Sequence, residues 1–176
     1  MYRNILLPTD GSALSRSAIE SGIRLAKEID ARVTGLHVIA RLATTSALEQ
    51  SIRGDARSRS RLKALFVEQA HQYLAVIETA ARKMRVRCEC LCVTGESPYE
   101  EILKTAMNKR CDLIYMASHG KGGGSALLLG SETAKVLTHS PIPVLIHRER
   151  KPSPIASHAK PVLGRAAPAA KRGAAR

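Results

Sequence analysis

The chain has no tryptophan, one phenylalanine and four tyrosines in 176 residues. So few aromatics argue against a surface that reads single-stranded RNA by stacking on its bases. Long apolar runs are missing too, and nothing approaches the ~20 residues needed to cross a bilayer. The apolar stretch nearest the start, Ile5-Leu6-Leu7, breaks at Pro8, which is too short for the roughly 7- to 15-residue core of a secretory signal. These absences predict a soluble, cytoplasmic protein with no membrane role. Cysteines are few: Cys88, Cys90, Cys92 and Cys111 make no disulfide framework for a chain this long and contain no C-x2-C pair.

What is present is an ordinary globular composition, 44% hydrophobic and 24% charged, which excludes wholesale disorder. The net charge of +13 is unevenly spread, because residues 148–176 carry eight lysines and arginines against Glu149 alone. That segment also holds Pro152, Pro154, Pro161 and Pro168 and much alanine, with no apolar periodicity. It lacks the side chains to offset ordering entropy, so one folded domain over 1–147 and a basic, disordered tail over 148–176 are expected. The tail reads either as a solvated appendage or as a weak, salt-sensitive contact for nucleic acid or another polyanion.

Within 1–147, strand-like and helix-like patterns alternate. Ile5-Leu6-Leu7 is a short buried run; Leu14, Ala18, Gly22, Leu25 and Ile29 then recur at helical spacing, closed by Asp30. Ala31–Ile39 reads as a second strand, 40–61 as a long polar connection, Leu62–Met84 as a helix and Val86–Val93 as a third strand. Ser97 and Glu100 form a capping-box pattern with Pro98 at the first helical position, opening a helix to about Lys109. Leu113–Ala117 is a fourth strand, Ser131–Thr138 a helix and Val144–His147 a fifth strand. Alternation of this kind predicts an α/β fold, a single open five-stranded parallel sheet with helices on both faces, Rossmann-like.

Open parallel sheets bind ligands beyond the C-terminal ends of their strands. Two distinctive loops fall there: Pro8-Thr9-Asp10-Gly11-Ser12, and the glycine-rich segment from Ser118-His119-Gly120 through Gly122-Gly123-Gly124 to Gly130-Ser131. Glycines let backbone approach an anion, and a helix N-terminus offers free N–H groups and partial positive charge. No G-x-x-x-x-G-K-[ST], strand-linked G-x-G-x-x-G or G-x-S-x-G motif occurs. From spacing alone the second loop is either an anion cradle or merely flexible.

The segment Met116-Ala117-Ser118-His119-Gly120 … Gly130-Ser131-Glu132-Thr133, continuing to Ser140-Pro141-Ile142-Pro143-Val144-Leu145, resembles the universal stress protein family. Its ATP-binding branch carries G-x2-G-x9-G-[ST], matched here by Gly120, nine residues, Gly130 and Ser131. Ile5–Ser12 and Leu36-His37-Val38 are similar to the family's first strand and loop and its second strand. The resemblance implies strand order 3-2-1-4-5, a homodimer through the last strand (Val144–His147), a stress-response sensor or adaptor role, and bound ATP, with Mg²⁺ brought by the phosphates. It places the nucleotide among Pro8, Thr9, Asp10, Val38, Met116, Ala117, His119, Gly120, Gly130, Ser131 and Glu132, with Asp10 and Val38 at the adenine and Ser131 at a phosphate oxygen. The motif's first glycine is Ala117 here. A positive φ there would cost roughly 1 to 2 kcal/mol, whereas an extended conformation costs little; its strand pattern predicts the second.

Other features have competing readings. Cys88, Cys90 and Cys92 share one face of a strand and are expected as small buried hydrophobes rather than a metal site. His119 reads either as a phosphate donor or as a solvent-facing loop residue, His37 as a packed strand residue, and His139 as a cation at a helix C-terminus. Arg53, Arg57, Arg59, Arg61 and Lys63 crowd a helix start against its dipole, as a solvated loop or a polyanion contact. Without an organised nucleophile and base, no enzyme is expected, beyond slow ATP hydrolysis or autophosphorylation. The alternative function is a stress adaptor that works without ATP, through the basic tail.

Overall fold

The computed structural model describes residues 1–41, 56–120 and 129–148. Arg53, the run Gly122-Gly123-Gly124 and the basic tail from 149 onward lie outside them. Among the described residues, nine elements alternate: β1 (Asn4–Pro8), α1 (Ala13–Glu28), β2 (Arg32–Ala40), α2 (Ala56–Met84), β3 (Cys88–Gly95), α3 (Pro98–Asn108), β4 (Leu113–Ala117), α4 (Ser131–His139) and β5 (Val144–His147). The strands form one sheet of order β3-β2-β1-β4-β5. Every pairing is parallel, with Ile5 opposite Val33 on one side and Leu113 on the other.

Beyond Asn4, the central strands β1 and β4 are apolar because both faces are covered. Ile5, Leu7, Leu113 and Tyr115 face α1 and α2, packed with Ile19, Ile23, Leu74 and Ile77. Leu6, Ile114 and Met116 face α3 and α4, packed with Ile102, Ala106 and Val136. This period-two division of continuous apolar runs is what a two-sided sheet requires.

Three helices return to the sheet by one device. Asp30, Arg85 and Arg110 adopt φ of 55°, 56° and 51°. Beyond each, an N–H reaches back to an alanine carbonyl: Ala31 to Ala26, Val86 to Ala81 and Cys111 to Ala106, at 2.9, 2.9 and 2.8 Å. These are Schellman closures with a non-glycine residue in the left-handed position.

The structure corrects the sequence reading in several places. Helix α2 starts at Ala56 instead of Leu62, so Arg57, Arg59, Arg61 and Lys63 lie inside its first turns, and the first turn contains no acidic residue. Strand β3 starts at Cys88 because Val86 is used in the closure just described. The cysteine row is less buried than expected, since β3 bounds the sheet: Cys88 and Cys90 are half-buried and Cys92 is exposed. Ser97 is the N-cap of α3, but its hydroxyl makes no capping bond. The Glu132 carboxylate, from α4, accepts the Tyr99 N–H at 2.9 Å, and the capping box does not form because the Glu100 N–H bonds the Ser97 carbonyl at 3.1 Å while Glu100 Oε1 accepts the Tyr99 hydroxyl at 3.0 Å.

Candidate functional site

A cavity of about 410 Å³ opens at the C-terminal ends of β1, β2 and β4, within the roughly 300 to 1,000 Å³ of small-molecule sites. Its first wall is the loop after β1, which side-chain hydrogen bonds hold in shape. Thr9 Oγ1 and Ser15 Oγ are 3.1 Å apart, and Thr9 Oγ1 accepts the Gly11 N–H at 3.2 Å. Asp10 Oδ1 accepts the Ser12 N–H at 3.0 Å, and Ser12 Oγ caps α1 by accepting the Ser15 N–H at 3.1 Å. Gly11 has φ 76°, and any Cβ there would overlap the Tyr73 ring. From β2, His37 Nδ1 donates to the Thr9 carbonyl at 2.7 Å, while its ring meets Tyr73 edge-on at 5.2 Å.

The second wall begins at Ala117. This residue is buried, ends β4 opposite His147 and has no positive φ, so alanine fits without backbone strain. Ser118 and Gly130 join by a 2.8 Å bond from the Gly130 N–H to the Ser118 carbonyl. The chain thus leaves and returns at one point, and the return is tight: a Cβ on Gly130 would lie 3.0 Å from His119 Cα. A Cβ on Gly120 would overlap Asp10 Oδ2, so where the two walls meet a larger residue would have to displace the Asp10 carboxylate. Thr133 Oγ1 donates to the Ala117 carbonyl at 3.1 Å, pinning the start of α4 above the end of β4.

Gly130 is the N-cap of α4 and brings no side chain to its first turn. That turn therefore presents backbone N–H groups and the positive helix end toward the cavity. The lining contains the carboxylates of Asp10 and Glu132, the imidazoles of His37 and His119, and, among the described residues, no lysine or arginine. Both carboxylates are engaged. Glu132 takes the Tyr99 N–H and the Lys135 ammonium, the latter at 2.9 Å, and it holds that ammonium above its ordinary pKa. Among the described residues, no group of three or more His, Cys, Asp and Glu is placed to hold a metal ion. Leu36, Val38, Ile102 and Met116 supply an apolar floor.

All eleven residues singled out from the sequence line this cavity: Pro8, Thr9, Asp10, Val38, Met116, Ala117, His119, Gly120, Gly130, Ser131 and Glu132. Six further lining residues were missed: Ser15, Leu36, His37, Pro98, Ile102 and Thr133. The signal for His37 was its place at the end of β2, where a strand residue next to a ligand edge serves packing and site together. Pro98 and Ile102 come from α3, whose approach to the cavity no local pattern announces.

A five-stranded parallel sheet in this order is a Rossmann-like α/β fold, and its glycine-walled cleft lies at the switch point where such open sheets place ligands. Residues 1–148 match the model of the Universal stress protein family, and the chain belongs to that family. It is 32% identical over 149 residues to universal stress protein YxiE of Bacillus subtilis, covering 84% of this chain and all of that one. The solved structure of MJ0577 of Methanocaldococcus jannaschii superposes with a TM-score of 0.71 at 32% identity, covering 87% of this chain and 99% of that one. A family protein of Arabidopsis thaliana, solved with AMP bound, shares the fold at 16% identity and a TM-score of 0.60, covering 84% and 92%. No helix among the described residues is long and apolar enough to cross a membrane.

Proposed function

We propose that the cavity binds ATP and that the protein acts as a nucleotide-dependent stress-response sensor or adaptor. The observation that carries this reading is the meeting of Gly120 and Gly130 with the uncapped start of α4 above the end of β4. Cβ atoms at either glycine would crowd the walls, and the backbone N–H groups beyond Gly130 suit phosphate oxygens. Val38 and Asp10 would receive the adenine, the first by apolar contact and the second by accepting its amine. Ser131, first in α4, would add a hydroxyl to the phosphates. With Asp10 and Glu132 already engaged, Mg²⁺ would arrive with the phosphates, whose charge it neutralises. The AMP complex of the Arabidopsis relative supports an adenine nucleotide as the ligand class.

The residues of the cavity bind and orient rather than activate a nucleophile. His119 Nδ1 lies 3.1 Å from the adjacent Ser118 hydroxyl, with no third group among the described residues arranged to make the pair a base and its nucleophile. Turnover is therefore slow in this reading, and the state of the nucleotide is the output. Strand β5 bounds the sheet with Leu145 39% exposed, an edge suited to a second copy of the chain through Val144–His147. Light scattering at micromolar concentration tests that dimer.

Thermal unfolding of nucleotide-stripped protein tests the binding. Mg-ATP at a hundredfold excess over its dissociation constant stabilises by about 2.7 kcal/mol, a shift of roughly 5 to 10 °C at this size. That shift, absent with GTP, is the expected result. No shift at millimolar ATP would overturn the reading in favour of an adaptor that works without ATP.

A further inference from the structure

The cysteine row on β3 takes no part in the cavity, and its geometry is specific. Cys88 Sγ and Cys90 Sγ lie 3.9 Å apart, within S–H···S reach, under α2, where Cys90 Sγ also approaches the Leu74 carbonyl at 3.9 Å. Room for Cys90 comes from the neighbouring strand. Gly35 is its cross-strand partner, and a Cβ there would come within 2.7 Å of Cys90 Sγ. β3 is the outer strand of the sheet, with no strand partner on its far side among the described residues. We propose that Cys88 and Cys90 form a reversible dithiol switch in which Cys88 is oxidised by a hydroperoxide and Cys90 resolves it to an intrastrand disulfide.

The assignment of roles follows from the contact. Hydrogen bonding from Cys90 lowers the pKa of Cys88, against burial and the nearby Glu78 and Glu89 carboxylates, which raise it; the same contact raises that of Cys90. Cys88 is thus the more acidic thiol of the pair, and Cys90 the one that holds its proton more tightly. Cys92, exposed on the same face, has a raised pKa from partial burial and stands outside the pair.

In the first step the Cys88 thiolate attacks one peroxide oxygen and the O–O bond breaks. The other oxygen leaves as alkoxide or hydroxide and takes a proton from solvent, and Cys88 becomes a sulfenic acid. In the second step the Cys90 sulfur attacks Cys88, the S–O bond breaks, and water leaves with the thiol proton. The two sulfurs together lose two electrons, and the peroxide gains them. Reaching a bond of ~2 Å requires the sulfurs to close by roughly as much again. A bridge spanning one residue is strained, which makes it readily reducible and suits a switch rather than a staple.

The test is to oxidise the full-length protein with hydrogen peroxide, alkylate its remaining thiols under denaturing conditions, reduce it, and alkylate again with a heavier reagent. Fragmentation of the peptide 88–104 then reads each position. Cys88 and Cys90 should carry the second label together, with Cys92 and Cys111 carrying the first. In Cys90→Ala, Cys88 should instead be captured by a sulfenic-acid probe, and its alkylation should need higher pH than in the parent protein. Cys92→Ser, a conservative change at an exposed site, should leave the bridge unaffected and guards against misfolding of the alanine variant. A bridge that includes Cys92, a link between chains, or a Cys88–Cys90 pair that stays reduced when free glutathione is oxidised would each overturn the proposal.

Discussion

The two ends of the sheet are built by opposite rules. At the end where the strands begin, polar backbone is closed by the protein itself. Three helices finish in the same closure onto Ala26, Ala81 and Ala106. The Asp112 carboxylate accepts the N–H groups of Arg3 and Asn4 at 2.8 and 2.9 Å. Asn4, 1% exposed, donates to the Lys109 carbonyl and accepts from Thr34. At the end where the strands finish, the first loop is equally well tied, but the second wall rests on glycines and on a helix start without a side-chain cap. A fold that ties its backbone at one end and, among the described residues, gives a helix start no side-chain cap at the other keeps stability apart from the proposed binding. Substitutions at the two ends should therefore move different observables.

The largest effect is expected at the open end. Gly130→Asp sets a carboxylate at the mouth of α4 and against His119, and like charges at such an interface cost several kcal/mol. ATP affinity measured by calorimetry should fall at least about a hundredfold, roughly 3 kcal/mol, while the unliganded protein stays folded. A variant that still binds within threefold would show that the phosphates lie elsewhere.

At the closed end, Asp112→Ala removes the acceptor of the Arg3 and Asn4 N–H groups. Hydrogen bonds to a charged group contribute about 1.5 to 3 kcal/mol, so urea unfolding should report a loss of about 2 kcal/mol. Affinity for ATP should change less than twofold. If both quantities fell together, the two ends would be coupled through β4 and the division would fail.

How much of this was legible in the sequence follows the same division. The sheet was readable because Ile5-Leu6-Leu7 and Leu113–Ala117 are continuously apolar, and both faces of such strands must be covered. The cavity was readable because the loops at two strand ends match the family's motifs; glycine spacing alone left the second loop open between a cradle and a flexible segment. What stayed hidden depends on partners remote in sequence. Ser97 and Glu100 have the right spacing for a capping box, yet Glu100 takes the Tyr99 hydroxyl, and Glu132 reaches across from α4 and takes the Tyr99 N–H. The early start of α2 was hidden because Arg57, Arg59 and Arg61 carry no apolar period. The closures at Asp30, Arg85 and Arg110 were hidden because none of them is the glycine that usually marks such a turn.

That last observation gives a smaller prediction at the closed end. Arg85 sits at φ 56° between α2 and β3 and is exposed, so its side chain strains the backbone without packing in return. The left-handed conformation costs an L-residue roughly 1 to 2 kcal/mol, part of which glycine loses again as chain entropy. Arg85→Gly should stabilise the protein by about 1 kcal/mol in urea titration, with nucleotide affinity unchanged. A destabilised variant would mean that the arginine makes up its strain by charge.

The smallest effect is expected where the sequence departs from the family motif, and it sharpens the comparison most. Ala117 serves both the sheet and the site: it is a paired strand residue opposite His147, and it lines the cavity. Its backbone is not in the left-handed region, so glycine would relieve no strain there. Its carbonyl already holds Thr133, a contact that the substitution leaves intact. Ala117→Gly should therefore leave ATP affinity within about twofold and lower stability by roughly 0.5 to 1 kcal/mol, the cost of glycine inside regular structure. A gain in affinity of tenfold or more would show that the methyl group itself obstructs the nucleotide, and that this chain has traded binding for strand stability at that position.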